Sequence, residues 1–322
     1  MPKRQVDEIR DGVELTSLDQ PVLNISGSIS AEPTKRQLVD YLDRVSDVML
    51  PALADRALSV IRVRPGQQPF MQKNLPDYAP DWIPRVDQWS QASRRLVHYP
   101  VCGDRRTLLW LANQRSVEFH PALVDISGRQ AELIIDLDPP EGSGFSVVVS
   151  VAAVVRDVLA GCGLSATVKT SGSKGVHIVV PVAAGQAVED IAAATRALAA
   201  RTARADPEHA TVAYVKDDRE GKVFVDSTRA GGATVAAAYS PRIRPGLPVS
   251  WPLSWDELPT VQPGDFTVTS VLEQLDDRLC WNDLLPGPQE LPADLVAEGH
   301  RIPIARVAAM HEGKRRKRKE TS

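Results

Sequence analysis

Acidic residues at the ends of apolar segments are the first candidates for chemistry. Asp136 and Asp138 close the segment 132–138, ELIIDLD, whose middle residues are aliphatic. Side chains two positions apart on a strand point to the same face, about 7 Å apart, so both carboxylates are predicted to face one site. Carboxylate pairs bind divalent metals, and two such metals suit in-line phosphoryl transfer. An isolated Asp-x-Asp pair is equally able to cap a turn or face solvent.

A third acid occupies a similar position further along the chain. Asp226 ends the apolar segment 221–226, GKVFVD. A third carboxylate beside the first two would complete a two-metal site. Taken alone, Asp226 is also typical of a turn at the end of a strand. The metal-site prediction therefore requires the two strands to bring their acids together.

A segment rich in Ser, Gly and Lys lies between the two acidic segments. Residues 169–177 read KTSGSKGVH and separate two predicted strands. Glycines let backbone amides approach a phosphate, and Lys174 adds positive charge. The segment is not a Walker A loop, because the GxxxxGKS spacing and the following helix are missing. We interpret it as a phosphate-binding loop with His177 beside it; the alternative is a flexible hairpin and a core histidine.

The elements that must position these residues follow from the apolar periodicity. Helical spacing predicts helices from about Thr34 to before Pro51 and over 105–114, 145–159, 189–203 and 268–279. Apolar runs predict strands over 57–63, 116–120, 132–138, 167–170, 176–181, 223–226 and 234–239. Residues 1–30 and 66–100 are expected to be irregular, with short extended pieces. This mixture predicts an α/β or α+β fold with a mixed central sheet and flanking helices.

Composition sets the broad class of protein. The 322 residues are 43% hydrophobic and 25% charged, which is typical of a globular protein. The net charge of −3 is not that of a general nucleic-acid binder, but the run 314–319, KRRKRK, would either contact a polyanion or remain a solvated tail. Three cysteines without a CxxC pair argue against a disulfide framework and a structural zinc site. No signal peptide or membrane-spanning run is visible, so we expect a cytoplasmic location.

The order and spacing of the three motifs are more specific than any one of them. The segments 136–139 (DLDP), 170–177 (TSGSKGVH) and 222–226 (KVFVD) resemble the three motifs of the archaeo-eukaryotic primase superfamily. The most similar branch is the polymerase domain of bacterial DNA ligase D, used in non-homologous end joining. The resemblance runs from about Val13 to about Leu258. It implies a primase-like core, with a polymerase domain over 1–300 (an N-terminal subdomain over about 1–120 packed on a core over about 121–300) and a basic tail over 301–322.

The resemblance also implies roles for individual residues. Two Mn²⁺ or Mg²⁺ ions are expected on Asp136, Asp138 and Asp226. An incoming NTP or dNTP is expected to contact Ser171, Ser173, Lys174, His177, Arg219 and Arg242, with His120 beside the site. Primer or template DNA is expected to contact Lys35, Arg62, Phe70 and Lys73. The implied activity is template-dependent nucleotide addition in gap filling or end joining at the nucleoid, with a separate DNA ligase and Ku as candidate partners.

The sequence departs from the ligase D pattern at several positions. Gln20 replaces a lysine that helps to grip a downstream 5′-phosphate, whereas its partner is kept as Lys35. Met71 replaces one of two adjacent phenylalanines, and 227–230 reads STRA in place of Trp-Ser-Gln-Asn. No KxDG motif of an ATP-dependent ligase is present, which predicts a stand-alone polymerase. The departures weaken the prediction of end-joining specificity, but not that of polymerase chemistry.

Two other classes of function fit parts of the sequence. A non-catalytic module that binds DNA ends or single strands would keep the fold, but it gains nothing from three acids facing phosphates. A metal-dependent phosphohydrolase or nuclease would use the acids, but the Ser/Gly/Lys loop favours a nucleoside triphosphate. Polymerase chemistry is therefore the prediction that uses all three motifs.

Overall fold

The computed structural model describes residues 5–23, 32–90, 94–275 and 280–304, and the basic run 314–319 lies outside these ranges. The strands within them are β1 (Glu8–Arg10), β2 (Val13–Leu15), β3 (Arg56–Arg62), β4 (Phe70–Gln72), β5 (Arg85–Ser90), β6 (Arg95–Pro100), β7 (Ser116–Asp125), β8 (Glu132–Asp138), β9 (Thr167–Thr170), β10 (Val176–Pro181), β11 (Ala210–Thr211), β12 (Val223–Asp226) and β13 (Pro252–Leu253). The helices are α1 (Lys35–Arg44), α2 (Ser46–Leu53), α3 (Arg105–Asn113), α4 (Phe145–Gly161), α5 (Val188–Ala205), α6 (Trp281–Leu284) and α7 (Ala293–Arg301).

A six-stranded mixed sheet carries the three motifs. Its strand order is β11-β12-β8-β10-β9-β13, and every pair is antiparallel except β11 with β12. The helices α4 and α5 pack against each other and against β8, and α7 packs on α5. Gly299 allows that last contact, because an added Cβ would lie 1.8 Å from the carbonyl oxygen of Ala193. The fold class predicted from the sequence, a mixed sheet with flanking helices, is confirmed.

The N-terminal part of the chain forms a second layer around a three-stranded sheet. Its strand order is β4-β3-β7, and α1, α2 and α3 pack beside it. The segment 233–240 joins the two parts: the Leu123 amide donates to Ala233 and the Ala237 amide donates to Phe119. Buried apolar side chains of both parts form one continuous cluster. The division into subdomains near residue 120 stays a prediction.

The strands that carry the motifs are those the apolar pattern predicted best. Predicted and observed bounds coincide for β8, β9, β10 and β12. The strands β8, β10 and β12 are short apolar runs, β9 is the mixed segment TVKT, and all four are buried for most of their length. Covered strands of this kind read as continuous hydrophobic segments, which is why the sequence places them well.

The predicted helix from Thr34 to before Pro51 is wrong in its extent. Two helices form instead, α1 and α2, with a bend at Val45, and Pro51 lies inside the second. Thr34 caps α1 through a reciprocal capping box with Gln37. The bend escaped prediction because the apolar residues keep their helical spacing across it and are buried on both sides.

The predicted strand 234–239 does not form. Its backbone changes partner part-way, since Ala237 donates to Phe119 on β7 whereas Tyr239 donates to Ser250. Tyr239 has a φ of 66°, which turns the chain out of an extended conformation. A single bridge between Ala122 and Thr234 is what remains of a ladder. The apolar residues of this segment are buried between the two layers without forming a strand.

The predicted helix 268–279 is also wrong for its described part. Residues 268–275 form turns, and 276–279 lie outside the described residues. The Thr267 and Ser270 side chains bond to each other's backbone amides, a contact typical of the start of a helix, but the chain continues in turns. Val268 and Val271 are nevertheless buried, so the spacing identified core residues correctly. Within 281–304, the helices α6 and α7 were not predicted.

Gly175 generates the first testable prediction. An added Cβ would lie 1.9 Å from the carbonyl oxygen of Leu137, between the two acids of β8. Gly175→Ala should therefore force β10 away from β8 and reduce the free energy of unfolding by about 1–3 kcal/mol or more. Urea denaturation measures this, with Gly103→Ala as control, because an added Cβ there meets nothing within 4 Å. Equal stability of the two variants would contradict the packing described.

Candidate active site

The register of three neighbouring strands brings the acids and a histidine to one place. Asp136 on β8 lies directly opposite Asp226 on β12 and opposite His177 on β10. Directly opposed residues have Cβ atoms about 4.5–5.5 Å apart and share one face of the sheet. Asp138 lies two residues beyond Asp136, on the same face at the end of β8. The carboxylates that the sequence analysis selected are therefore lateral neighbours.

Burial differs among the three acids. The side chains of Asp136 and Asp226 are only 14% and 9% exposed, whereas that of Asp138 is 53% exposed. Burial raises the pKa of Asp136 to about 6; the Arg229 charge opposes this rise, and the charges of Asp226 and Asp138 add to it. The inner part of the site thus holds negative charge at a cost, and it favours any cation that reaches it.

Arginine side chains neutralise the acids in this structure. The Arg229 guanidinium lies between two of them, 3.1 Å from the Asp136 carboxylate and 3.2 Å from that of Asp226. Arg219 lies 3.0 Å from Asp138 and stacks on the Phe224 ring at 4.0 Å. Two acids are therefore bridged by one cation, and the third has its own.

The Ser/Gly/Lys segment forms a tight loop beside the acids. The Ser171 hydroxyl accepts hydrogen bonds from the amides of Ser173 and Gly175, and the Ser171 amide donates to the Gly175 carbonyl. Gly172 has a φ of 68°, and an added Cβ would lie 2.6 Å from Arg242. Arg242 in turn donates to the Ser171 carbonyl at 2.6 Å. These contacts hold the loop against the sheet and leave Lys174 exposed.

One cavity of about 570 Å³ joins the loop, the acids and the arginines. Among the residues selected from the sequence, it is lined by Asp136, Asp138, Asp226, Ser171, Ser173, Lys174, His177, Arg219 and Arg242. It is also lined by Tyr214, Phe224, Thr228, Arg229 and Arg244. The sequence therefore placed the acids and the loop in one site, but it did not identify Arg229 or Arg244.

A buried lysine orients His177, and the sequence analysis missed its role. Lys169 lies opposite His177 on β9, and its Nζ is 2.7 Å from the imidazole Nδ1. The same Nζ donates to the Ala236 carbonyl and to the Ser250 hydroxyl. Burial lowers the pKa of His177 well below its usual range, and the charge of Lys169 adds to this. His177 is therefore neutral, with its Nδ1 against the Lys169 Nζ and its Nε2 facing Asp136 at 3.6 Å.

His120 lies behind the cavity and acts on it through another missed residue. Its Nε2 is 2.8 Å from the Glu118 carboxylate, which also lies 3.1 Å from Arg242 and accepts from the Ile243 amide. Burial alone raises the pKa of Glu118, but His120, Arg242 and this amide together lower it to about 2. Glu118 is thus a fixed anion that positions Arg242. His120 supports this anion from the side away from the cavity.

A second cavity of about 670 Å³ contains the departure at Gln20. Gln20 and Lys35 both line it, as the resemblance implied. Lys35 is buried, and its Nζ donates to the Asn113 side chain at 2.6 Å and to the Thr16 carbonyl. The retained lysine is therefore already engaged with groups of the protein, which reduces what it offers to a phosphate.

The remaining DNA-binding candidates lie around this second cavity. Arg62 is buried and donates to Gln72 and to the Gln114 carbonyl, whereas Arg64 is exposed. The Phe70 ring lies 5.8 Å from the Arg62 guanidinium and 4.9 Å from that of Arg64. Lys73 is exposed just after β4. Most of the selected residues therefore lie at one of two cavities, the first lined by the three acids and the Ser/Gly/Lys loop and the second by Lys35 and Arg62.

The donor chemistry of the first cavity fits Mg²⁺ or Mn²⁺. These hard cations prefer carboxylate oxygens, which Asp136, Asp138 and Asp226 supply. Across the described ranges, no group of three His, Cys, Asp or Glu side chains is already arranged around a metal position. Arg229 and Arg219 hold these carboxylates in ion pairs.

Comparison with known proteins identifies the family. The model of the LigD primase-polymerase domain matches residues 34–282. The chain belongs to this family. It is 32% identical over 300 residues to the bifunctional non-homologous end joining protein LigD of Bacillus subtilis, covering 91% of this chain and 47% of that protein. It is 31% identical over 280 residues to the multifunctional LigD of Mycolicibacterium smegmatis, covering 85% and 35%.

Solved structures agree with this assignment. The polymerase domain of Mycobacterium tuberculosis ligase D in complex with DNA superimposes with a TM-score of 0.73 at 31% identity, covering 82% of this chain and 94% of that one. The fold is thus that of a LigD polymerase domain. The chain spans about half or less of the length of the two LigD proteins named above. Among the described residues, no helix is long and apolar enough to cross a membrane.

The buried lysine generates the second prediction. Burial, followed by the charge of Arg242, lowers the pKa of Lys169 to about 7, whereas in the unfolded chain it stays near its ordinary value of 10.5. Between these values the unfolded state binds more protons, so the wild-type free energy of unfolding should rise with pH relative to Lys169→Met, by about 1 kcal/mol per pH unit. Urea unfolding at pH 8 and pH 9 measures this difference. Parallel pH dependence in the two proteins would contradict a neutral, buried lysine.

Proposed function

We propose that this LigD-family protein is a template-dependent primase-polymerase that adds nucleotides to a primer 3′ end at DNA gaps or ends. The observation that carries the proposal is the composition of the first cavity. The cavity is lined by three carboxylates and also by Lys174, Arg242 and Arg244. A metal-bound triphosphate needs both, because the ions require anionic ligands and the phosphates require cations.

Different residues of the cavity would bind the metals and the nucleotide. When bound on the three acids, divalent ions would activate the primer hydroxyl and offset the charge of the leaving pyrophosphate. Lys174 and Arg242 would hold the phosphates, and the amides of the loop would donate to them. The neutral His177 faces Asp136 through its Nε2 and is held by Lys169 on its other nitrogen. These groups are preorganised, which limits the reorganisation needed when a nucleotide binds.

Binding of DNA by this protein is supported by the DNA complex of a related polymerase domain and by the residues of the second cavity. The tuberculosis polymerase domain was solved with DNA. Here, Arg62, Arg64 and Phe70 offer cationic and aromatic surface near Lys35 and Gln20. Cations of this kind bind the phosphate backbone and arginine-flanked rings stack on bases. A role in non-homologous end joining, with a separate ligase and Ku as partners, is the proposed setting.

One assay separates the candidate functions. The full chain is incubated with a labelled primer–template, Mn²⁺ and nucleotides. Extension supports the polymerase, DNA binding without extension supports a non-catalytic module, and shortening of the primer supports a nuclease. Omitting the template strand then tests template dependence.

The acids give the third prediction. Asp136→Asn and Asp226→Asn should each lower primer extension by at least about a hundredfold, since losing one preorganised electrostatic partner costs about 10² to 10³ in rate. The metal-free variants should stay folded, because removing one of several crowded carboxylates relieves repulsion. Asp294→Asn is the matched control, an exposed acid of α7 whose ion pair is with Arg201. Extension near the wild-type rate in either variant would remove these acids from the catalytic site.

The second cavity gives the fourth prediction. With Gln20 neutral and Lys35 engaged by Asn113, a 5′-phosphate at a gap should improve binding only several-fold, because a neutral hydrogen bond is about half as strong as a charge-assisted one. Gln20→Lys should increase the preference by about tenfold, which corresponds to roughly 1.4 kcal/mol. Gap binding with 5′-phosphate and 5′-hydroxyl substrates at matched salt measures both. A wild-type preference of a hundredfold would mean that another cation replaces the missing lysine.

A further inference from the structure

Arg229 occupies a position that the proposed function does not explain. Its guanidinium bridges the two buried acids, with Nε and Nη2 within 3.2 Å of Asp136 and Nε 3.2 Å from Asp226. The Asp226 carboxylate is further fixed by the amide and hydroxyl of Thr228, at 2.8 and 2.6 Å. The cation is therefore inserted where the two inner carboxylates face each other, which is where a shared metal would be bound.

The other cations of the cavity do not compete for this position in the same way. Arg219 contacts the exposed outer acid, Asp138, and lies against the Phe224 ring. Arg242 is held by Ser171 and Glu118. Arg229 is thus the cation paired with both inner acids among the ion pairs of the described residues.

We infer that Arg229 is a built-in counterion that occupies the inner metal position and competes directly with divalent metal. This inference rests on the proposed metal site. It follows from charge and geometry: two buried carboxylates are stable without metal only if another cation compensates them, and that cation must leave when a metal takes the same oxygens. Metal affinity in this protein is therefore set by a competition with its own side chain.

The structure provides space for the displaced side chain. Arg229 is 37% exposed and also lines a neighbouring cavity of about 400 Å³. The walls of that cavity include small residues, Ala192, Ala230 and Ala233. Its other arginine, Arg196, is engaged with the Gly299 carbonyl. This neighbouring cavity therefore offers the displaced guanidinium a place next to the acids.

The consequence is that metal binds the acids only above a threshold concentration. At low metal concentration Arg229 keeps the acids paired and the fold stable, and the site stays blocked. At higher concentration the ion replaces the guanidinium, which moves toward the neighbouring cavity. The departure at 227–230, where the resemblance expects glutamine at the position of Arg229, gives this chain a charge there that a neutral amide cannot supply.

The test is metal binding by the full chain without DNA or nucleotide. Free Mn²⁺ is titrated by electron paramagnetic resonance against wild type, Arg229→Gln, Arg229→Lys and the control Arg201→Gln, whose arginine pairs with Glu298 far from the acids. Arg229→Gln should bind Mn²⁺ at least about fivefold more tightly, because it removes the competing charge. Arg229→Lys should stay within about twofold of wild type, and so should Arg201→Gln.

Thermal unfolding supplies the second readout. In EDTA, Arg229→Gln should unfold at a lower temperature than wild type, because two carboxylates lose their counterion. Added Mn²⁺ should raise the unfolding temperature of Arg229→Gln by more than it raises that of wild type. A purely structural arginine would lower the unfolding temperature without changing Mn²⁺ affinity, and equal affinity in wild type and Arg229→Gln therefore overturns the inference. Wild type that binds Mn²⁺ and extends primers would then keep the proposed function. Absence of Mn²⁺ binding and of extension in every variant contradicts both.

Discussion

Crowding of negative charge in a partly buried place is the constraint on which the rest of the site depends. Asp136 faces Asp226 across one strand pair, and Asp138 follows it on the same face. At an effective dielectric constant near 20, two like charges 4 Å apart repel by about 4 kcal/mol. Burial adds to this cost and shows in the raised pKa of Asp136. A fold can keep such a group only if cations compensate it.

The surrounding residues form compensating layers. Arg229 and Arg219 neutralise the acids directly. Behind the loop, Lys169 contacts the neutral His177, and Glu118 pairs with Arg242, which lines the cavity. These buried groups hold the residues that line the cavity in place. The site is therefore prepared for a ligand that carries both metal ions and phosphates, which the proposed nucleotide substrate does.

The sequence predicts β8, β10 and β12 well because they are short apolar runs whose ends are marked by acids, glycine or proline. It also places Asp136, Asp138 and Asp226 in one site once their order is compared with a known family. It does not reveal Lys169 or Glu118 as functional, because their roles arise from cross-strand register: Lys169 lies opposite His177, and Glu118 meets Arg242 from a different sheet.

Other features could not be predicted from apolar spacing alone. Val268 and Val271 are buried at helical spacing, yet the described part of 268–279 forms turns. The segment 234–239 lies between two layers and exchanges hydrogen-bond partners, so its apolar spacing gives burial without a strand. The position of Arg229 depends on the path of a loop after β12, which has no periodic signal in sequence.

Whether the acids bind metal and the loop binds a triphosphate is measured most directly by a crystal structure of the full chain with Mn²⁺ and a non-hydrolysable nucleoside triphosphate. The data are collected for manganese anomalous scattering. We expect anomalous peaks within coordination distance of Asp136 and Asp226. We also expect the triphosphate against the loop at Ser171 and Lys174, and the Arg229 side chain turned away from the acids. Manganese or triphosphate bound elsewhere, with the carboxylates still paired to Arg229, would contradict these expectations.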